Sequence, residues 1–243
     1  MENIRISELD NGVRIVTENI DGFETASIGI WVKTGSRNEP EEINGISHFI
    51  EHMFFQGTKN RSVKQIASEI EDKGGYLNAY TSREITAYYA KVLKEEVASA
   101  FDVVSDIVLN STFPINELNK ERGVVIQEIK QNNDDPEDVA YDMFQSAMYK
   151  NQPLGRTILG TEEIISKLQP KDLFSYVNKF YTPSNMVISA AGAVNHEQIV
   201  ELASKVFTSK EKSEKNKPFL AKYENGYDYR FKDLEQINLF LGF

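Results

Sequence analysis

The 243-residue chain contains no cysteine. Disulfides, zinc knuckles and thiol catalysis are therefore excluded, and any metal site must be built from His, Asp and Glu. Histidine itself is scarce, at three residues. No apolar run approaches the ~20 residues of a membrane-spanning helix. The opening Met1-Glu2-Asn3-Ile4-Arg5-Ile6-Ser7 lacks the basic-then-apolar order of a secretory signal. These absences lead to the expectation of a bacterial cytoplasm, with the mitochondrial matrix as the alternative. Basic charge is in deficit, at 27 Lys and Arg against 37 Asp and Glu, a net −10. With no Lys/Arg-rich face, nucleic acid is excluded as a partner. Glycine and proline number 14 and 7, and aromatics make up 11%, which excludes fibrous repeats and a disordered chain. What is present is a globular composition, 40% hydrophobic, long enough for a sizeable core.

Two short strands open the chain, Ile4 and Ile6 before the Asp10-Asn11-Gly12 turn and Val13 and Ile15 after it. A second β run spans 26–34. Apolar residues at Ile46, Phe49, Ile50 and Met53 then follow helical spacing over 46–54. Ser62 and Gln65 form a capping box for a helix that Gly74-Gly75 ends. Strands are expected at 76–81 and 86–93. Long helices are expected at about 95–110 and 116–132, and a third starting at Asp135-Pro136. A helix at about 170–180, a strand at 186–191 and a helix from Asn195 follow. The segment 208–218 has no large apolar residue and reads as a linker. Residues 227–243 again carry a strand pattern. The expected organisation is a zinc-binding domain over 1–218, with 219–243 as the first strand region of a truncated second, similar domain. The expected fold class is α+β: a mostly antiparallel sheet packed against several helices, an α/β roll.

Two of the three histidines lie in His48-Phe49-Ile50-Glu51-His52. At about 100° per residue, His48, Glu51 and His52 share one arc of the helix. Two imidazoles four residues apart can reach one metal ion, with a carboxylate beside it, in the inverted order of the common zinc-protease helix. A catalytic zinc takes a third protein ligand and keeps one position open. In the second long helix Leu118, Glu121, Val125 and Glu128 fall on one stripe. A metal or a hydrogen-bonded His would account for both carboxylates there, and so would simple access to water at the rim of the core. Zinc is inferred from the ligand types, which also suit manganese or cobalt. The third histidine, His196, reads as a surface residue at a helix start.

The stretch Gly45-Ile46-Ser47-His48-Phe49-Ile50-Glu51-His52-Met53 resembles the zinc helix of the pitrilysin/insulinase metallopeptidases. Within that family it is most similar to the processing-peptidase β subunits and their bacterial relatives. The resemblance continues through residues 74–82 with Glu84 and Thr86, then 121–129, Asp135-Pro136, 153–156 and 181–186. It implies that His48, His52 and Glu128 bind one Zn2+ per chain, that Glu51 is the base activating a zinc-bound water, and that Glu121 supports a ligand or assists catalysis. It further implies that Asn78 and Ala79, with Leu77, Tyr80 and Thr81 around them, form an edge strand that holds extended substrate by backbone pairing. The implied function is a zinc-dependent endopeptidase acting on extended peptides or presequences. As partner it implies a second family member, in a homo- or heterodimer. The alternative is a non-catalytic subunit of the same family that binds peptides or supports an assembly.

Overall fold

The computed structural model describes residues 3–208 and 220–242. Three strands come first: β1 (Ile4–Glu8), β2 (Arg14–Asn19) and β3 (Thr25–Val32). Two helices follow, α1 (Ile46–Phe54) and α2 (Val63–Glu71), then the hairpin of β4 (Tyr76–Thr81) and β5 (Thr86–Leu93). Helices α3 (Val97–Asn110), α4 (Ile115–Asp134) and α5 (Pro136–Met148) come next. Among the described residues the regular structure ends with α6 (Glu162–Lys167), α7 (Pro170–Phe180), β6 (Met186–Gly192) and α8 (His196–Val206). The strands form one sheet in the order β1-β2-β6-β3-β5-β4. Only the β2–β6 pair is parallel. The fold is thus the mixed α/β layer arrangement that the periodicities point to.

Alternation decides which face of the sheet is covered. Ala26, Ile28, Ile30 and Val32 of β3 lie in register with Val92, Ala90, Tyr88 and Thr86 of β5, and all are buried. Met186, Ile188 and Ala190 of β6 continue the same apolar row. Phe49, Ile50, Met53, Phe101, Val104, Leu173 and Ile199 of the helices close over it to form one core. On the opposite face Ser27, Trp31 and Tyr89 stay half-buried. β4 ends the sheet on one side, so its outer edge has no strand partner among the described residues.

Local signals place most boundaries. Ser62 Oγ accepts from Gln65 N–H while Gln65 Oε1 accepts from Ser62 N–H, the reciprocal cap read from the sequence. Asp135 caps α5, with Pro136 at its first position. The sequence reading has no counterpart for α6, whose six residues are too few to show a period. It is also corrected at 227–243, where the described residues form no strand. An extended run gains ladder hydrogen bonds only from another strand, and the described residues from 220 onward touch α5 and the turn that follows it instead. Gln152 exchanges two 2.7 Å hydrogen bonds with the Lys222 backbone, and Glu224 N–H donates to Met148 O at 2.9 Å. Phe240 packs on Tyr141 and Phe144. Almost all of the expected linker, 208–218, falls outside the described residues.

His196 is the second correction. It is buried rather than on the surface, with its ring nitrogens 2.7 Å from Ser7 Oγ and 2.8 Å from Thr17 Oγ1. The ring thereby ties α8 to β1 and β2. Burial, reinforced by the Arg5 charge, pushes its pKa below the ordinary value. A histidine lowered in this way adds stability that is complete above the unfolded-state pKa, about 6.5. That stability is lost as pH falls from there towards the folded-state value. His196→Gln should cost about 1–2 kcal/mol at pH 8. The gap between variant and wild type in urea unfolding should narrow as the pH is lowered through 6.

Candidate metal centre

Helix α1 has two unlike faces. Ile46, Phe49, Ile50, Met53 and Phe54 are fully buried against the sheet and the neighbouring helices. His48, Glu51 and His52 lie on the remaining arc and are partly buried where α4 crosses. The His48 and His52 rings meet edge to face, with centroids 4.7 Å apart. On α4, Leu118, Val125 and Ile129 enter the core, which turns the Glu121 and Glu128 side of the helix towards α1. Glu128 Oε2 lies 3.4 Å from His48 Nε2 and 3.4 Å from His52 Nε2. One ligand atom from each of His48, His52 and Glu128 lies within 4.8 Å of the others.

These separations suit a zinc ion. Ligand atoms at about 2.05 Å in a tetrahedral shell stand about 3.3 Å apart. The donor set, two imidazole nitrogens and one carboxylate, is that of a catalytic rather than a closed structural site. The remaining polar atoms agree with this. Among the described residues, Glu51 Oε2, buried beside His48, His52 and Glu128, has no hydrogen-bond partner, and neither has His48 Nδ1. His52 Nδ1 lies 3.1 Å from Glu121 Oε2, and Glu121 Oε1 accepts from Gln56 Nε2 at 2.9 Å. Glu121 therefore fixes the His52 ring so that Nε2 faces Glu128, the outer support that metal-binding histidines use.

Electrostatics follow from the burial. His48 is pushed down to about 3 by burial and by the neighbouring His52. Its ring is neutral at pH 7, the form in which imidazole coordinates a metal. Burial pushes the Glu51 carboxyl up, Thr81 and His52 pull it down, and Glu128 raises it further.

A groove of about 370 Å3 runs from the metal side chains to β4 and α5. His48, Glu51, Ala79, Tyr80 and Thr81 line it, so three of the expected substrate-strand residues sit beside the expected base. Leu77 and Asn78 do not line the groove. Leu77 packs against the core, and Asn78 Oδ1 accepts from Ala79 N–H at 2.9 Å. The opposite wall was not legible in the sequence. Arg83 donates to Asp142 at 3.0 Å and to Leu154 O at 3.2 Å, and its guanidinium stacks over Tyr141. No short motif announces contacts between residues 59 and 71 positions apart.

Comparison with known proteins places the chain. Residues 14–162 match the insulinase family, peptidase family M16, and residues 167–243 match the peptidase M16 inactive domain. The chain belongs to peptidase family M16. It is 43% identical over 242 residues to an uncharacterized zinc protease of Rickettsia felis, covering 100% of this chain and 59% of that protein. It is 46% identical over 204 residues to a probable mitochondrial-processing peptidase subunit beta of Arabidopsis thaliana, covering 84% of this chain and 38% of that protein. Among solved structures, a protease from Helicobacter pylori superimposes with a TM-score of 0.83 at 25% identity, covering 91% of this chain and 54% of that one. The chain thus spans less than two thirds of the length of these relatives. Among the described residues no helix is long and apolar enough to cross a membrane.

Arg83→Met removes the cation that offsets Asp142, whose carboxyl burial already pushes up. The variant should lose about 1–3 kcal/mol in urea unfolding. Replacing Asp142 with Asn in the same background should recover part of that loss.

Proposed function

We propose that this chain carries the catalytic centre of a zinc-dependent endopeptidase acting on extended peptides. The observation that carries the reading is the convergence of His48 Nε2, His52 Nε2 and Glu128 Oε2 beside the unpartnered Glu51 Oε2. His48, His52 and Glu128 would hold the metal. Zinc bound there supplies Lewis acidity towards the scissile carbonyl and lowers the pKa of water to about 7.

The protein's own groups do the rest. Glu51 Oε2 accepts no hydrogen bond from the described residues, so it is placed to take a proton from the attacking water and pass it to the leaving amine. Glu121 holds the His52 ring in one tautomer and orientation. The free edge of β4 can pair with a peptide backbone, which gives affinity with little demand on side chains and presents the peptide along the groove beside Glu51. Presequences are the substrates we favour, since a chain of net charge −10 attracts basic peptides. We further propose that it pairs with a second family member, as the name of the Arabidopsis subunit suggests, and that it works in a bacterial cytoplasm. The match to a bacterial relative along the whole of this chain is what favours a bacterial setting.

Glu51→Gln should abolish hydrolysis of a fluorogenic peptide while the purified protein keeps its zinc. A variant that lost its metal, or kept its turnover, would contradict the role of base. Glu128→Gln should weaken zinc binding far more than Glu121→Gln, because the first removes an anionic ligand and the second an outer support worth typically 10–100-fold. Competition against a chelator ranks the two, and the reverse order would overturn the ligand assignment.

A further inference from the structure

Helix α1 starts without an ordinary cap. Its N-cap residue is Gly45, at φ +95, which has no side chain to accept from the first-turn amides. Those donors are met from upstream. Glu39 Oε1 accepts from Ser47 N–H at 2.8 Å, and Glu39 Oε2 accepts from Gly45 N–H at 2.7 Å and from Asn44 Nδ2 at 2.8 Å. Glu39 is 2% exposed. A carboxylate this deeply buried is costly unless its oxygens are satisfied, and the positive end of the helix adds to what the three N–H groups supply.

The same turn is held from two further sides. Ser47 Oγ lies 2.8 Å from Tyr176 OH on α7, which lies 2.9 Å from Thr34 Oγ1 after β3. Asn44 also donates to Thr157 O at 3.1 Å, and Arg156 donates to the Glu39 carbonyl. Gly45 and Gly160 pack back to back, so a Cβ on Gly45 would run into Leu159 O and one on Gly160 into Asn44 O.

The two histidines differ in what fixes them. His52 has Glu121 on its second nitrogen, whereas His48 Nδ1 has no partner among the described residues. His48 follows Ser47, whose N–H and hydroxyl are both tied, so the placement of its ring depends on the backbone of the first turn. We propose that Glu39 is a positioning residue for the metal, setting His48 through the first turn of α1 as Glu121 sets His52 through its ring. This rests on the reading of His48, His52 and Glu128 as ligands.

The test uses Glu39→Gln, which keeps length and volume but turns an amide NH2 towards N–H donors. His196→Gln serves as a control for loss of stability away from α1. Zinc affinity by chelator competition and the visible spectrum of the Co2+-substituted protein are read beside urea unfolding. Glu39→Gln should bind metal about 10–100-fold more weakly, the range seen for lost outer support, with a changed Co2+ spectrum. His196→Gln should leave both readouts at wild-type values. If Glu39→Gln does not fold, Tyr176→Phe, which removes only the hydroxyl behind Ser47, should still weaken binding several-fold. Wild-type affinity and spectrum in the folded Glu39→Gln protein, or in Tyr176→Phe where that variant carries the test, would overturn the proposal. So would an equal loss of affinity in His196→Gln. If wild type and variants alike bind no metal, the ligand reading itself falls and this proposal falls with it.

Discussion

The orientation of α1 about its own axis is the constraint on which the rest of the site depends. Five fully buried apolar side chains, Ile46, Phe49, Ile50, Met53 and Phe54, fix it. Burying a side chain of this kind stabilises by about 1.5–3 kcal/mol, so turning the helix by even one position, about 100°, would expose several at once. Because His48, Glu51 and His52 occupy the arc left over, their direction is decided by the apolar residues between them. The core therefore aims the proposed metal ligands.

The second partner obeys the same logic with less force. On α4 only Leu118, Val125 and Ile129 are buried, and the carboxylates Glu121 and Glu128 share that stripe. Glu121 is gripped by His52 and Gln56, whereas the Glu128 side chain remains 38% exposed and, among the described residues, is paired with the two imidazoles. One carboxylate is thus tied into α1 and the other is left facing both imidazoles. Spacing alone made the pair equivalent; the difference lies in what α1 puts opposite each.

That contrast shows what was legible in the sequence. Helical and strand periods and the Ser62–Gln65 and Asp135–Pro136 caps are local, and they point to the elements correctly; the His48–His52 turn is equally local, and its two rings do meet with Glu128 in one cluster. Glu39 carries no such signal. It sits in a short irregular stretch, and its role comes from chain reversal that brings it under an N-cap glycine six residues away. Arg83 and Asp142 meet through tertiary packing of β4 and β5's connection against α5, and His196 is buried because β1 and β2 present hydroxyls to it. The 227–243 pattern misled for the opposite reason. Alternation describes what a segment can pair with, and no strand edge lies beside it among the described residues.

The free edge of β4 joins two requirements that usually conflict. An exposed edge strand is a template for unwanted association, yet an edge that takes up extended peptide has to stay open. Here Asn78 occupies the outward Ala79 N–H with its own Oδ1 and donates its amide to Tyr76 OH. At Ala79 the edge is satisfied locally by a side chain rather than by a strand. On the proposed function, a peptide adding to β4 exchanges one hydrogen bond for another at Ala79, and the amide released from the backbone becomes available to the incoming chain. Because such exchanges contribute little net free energy, about 0.5–1.5 kcal/mol each, binding at this edge would be weak and reversible without further contacts. Selectivity then has to come from the groove beyond it, between β4 and α5, where Arg83, Tyr141 and Asp142 stand across from Glu51.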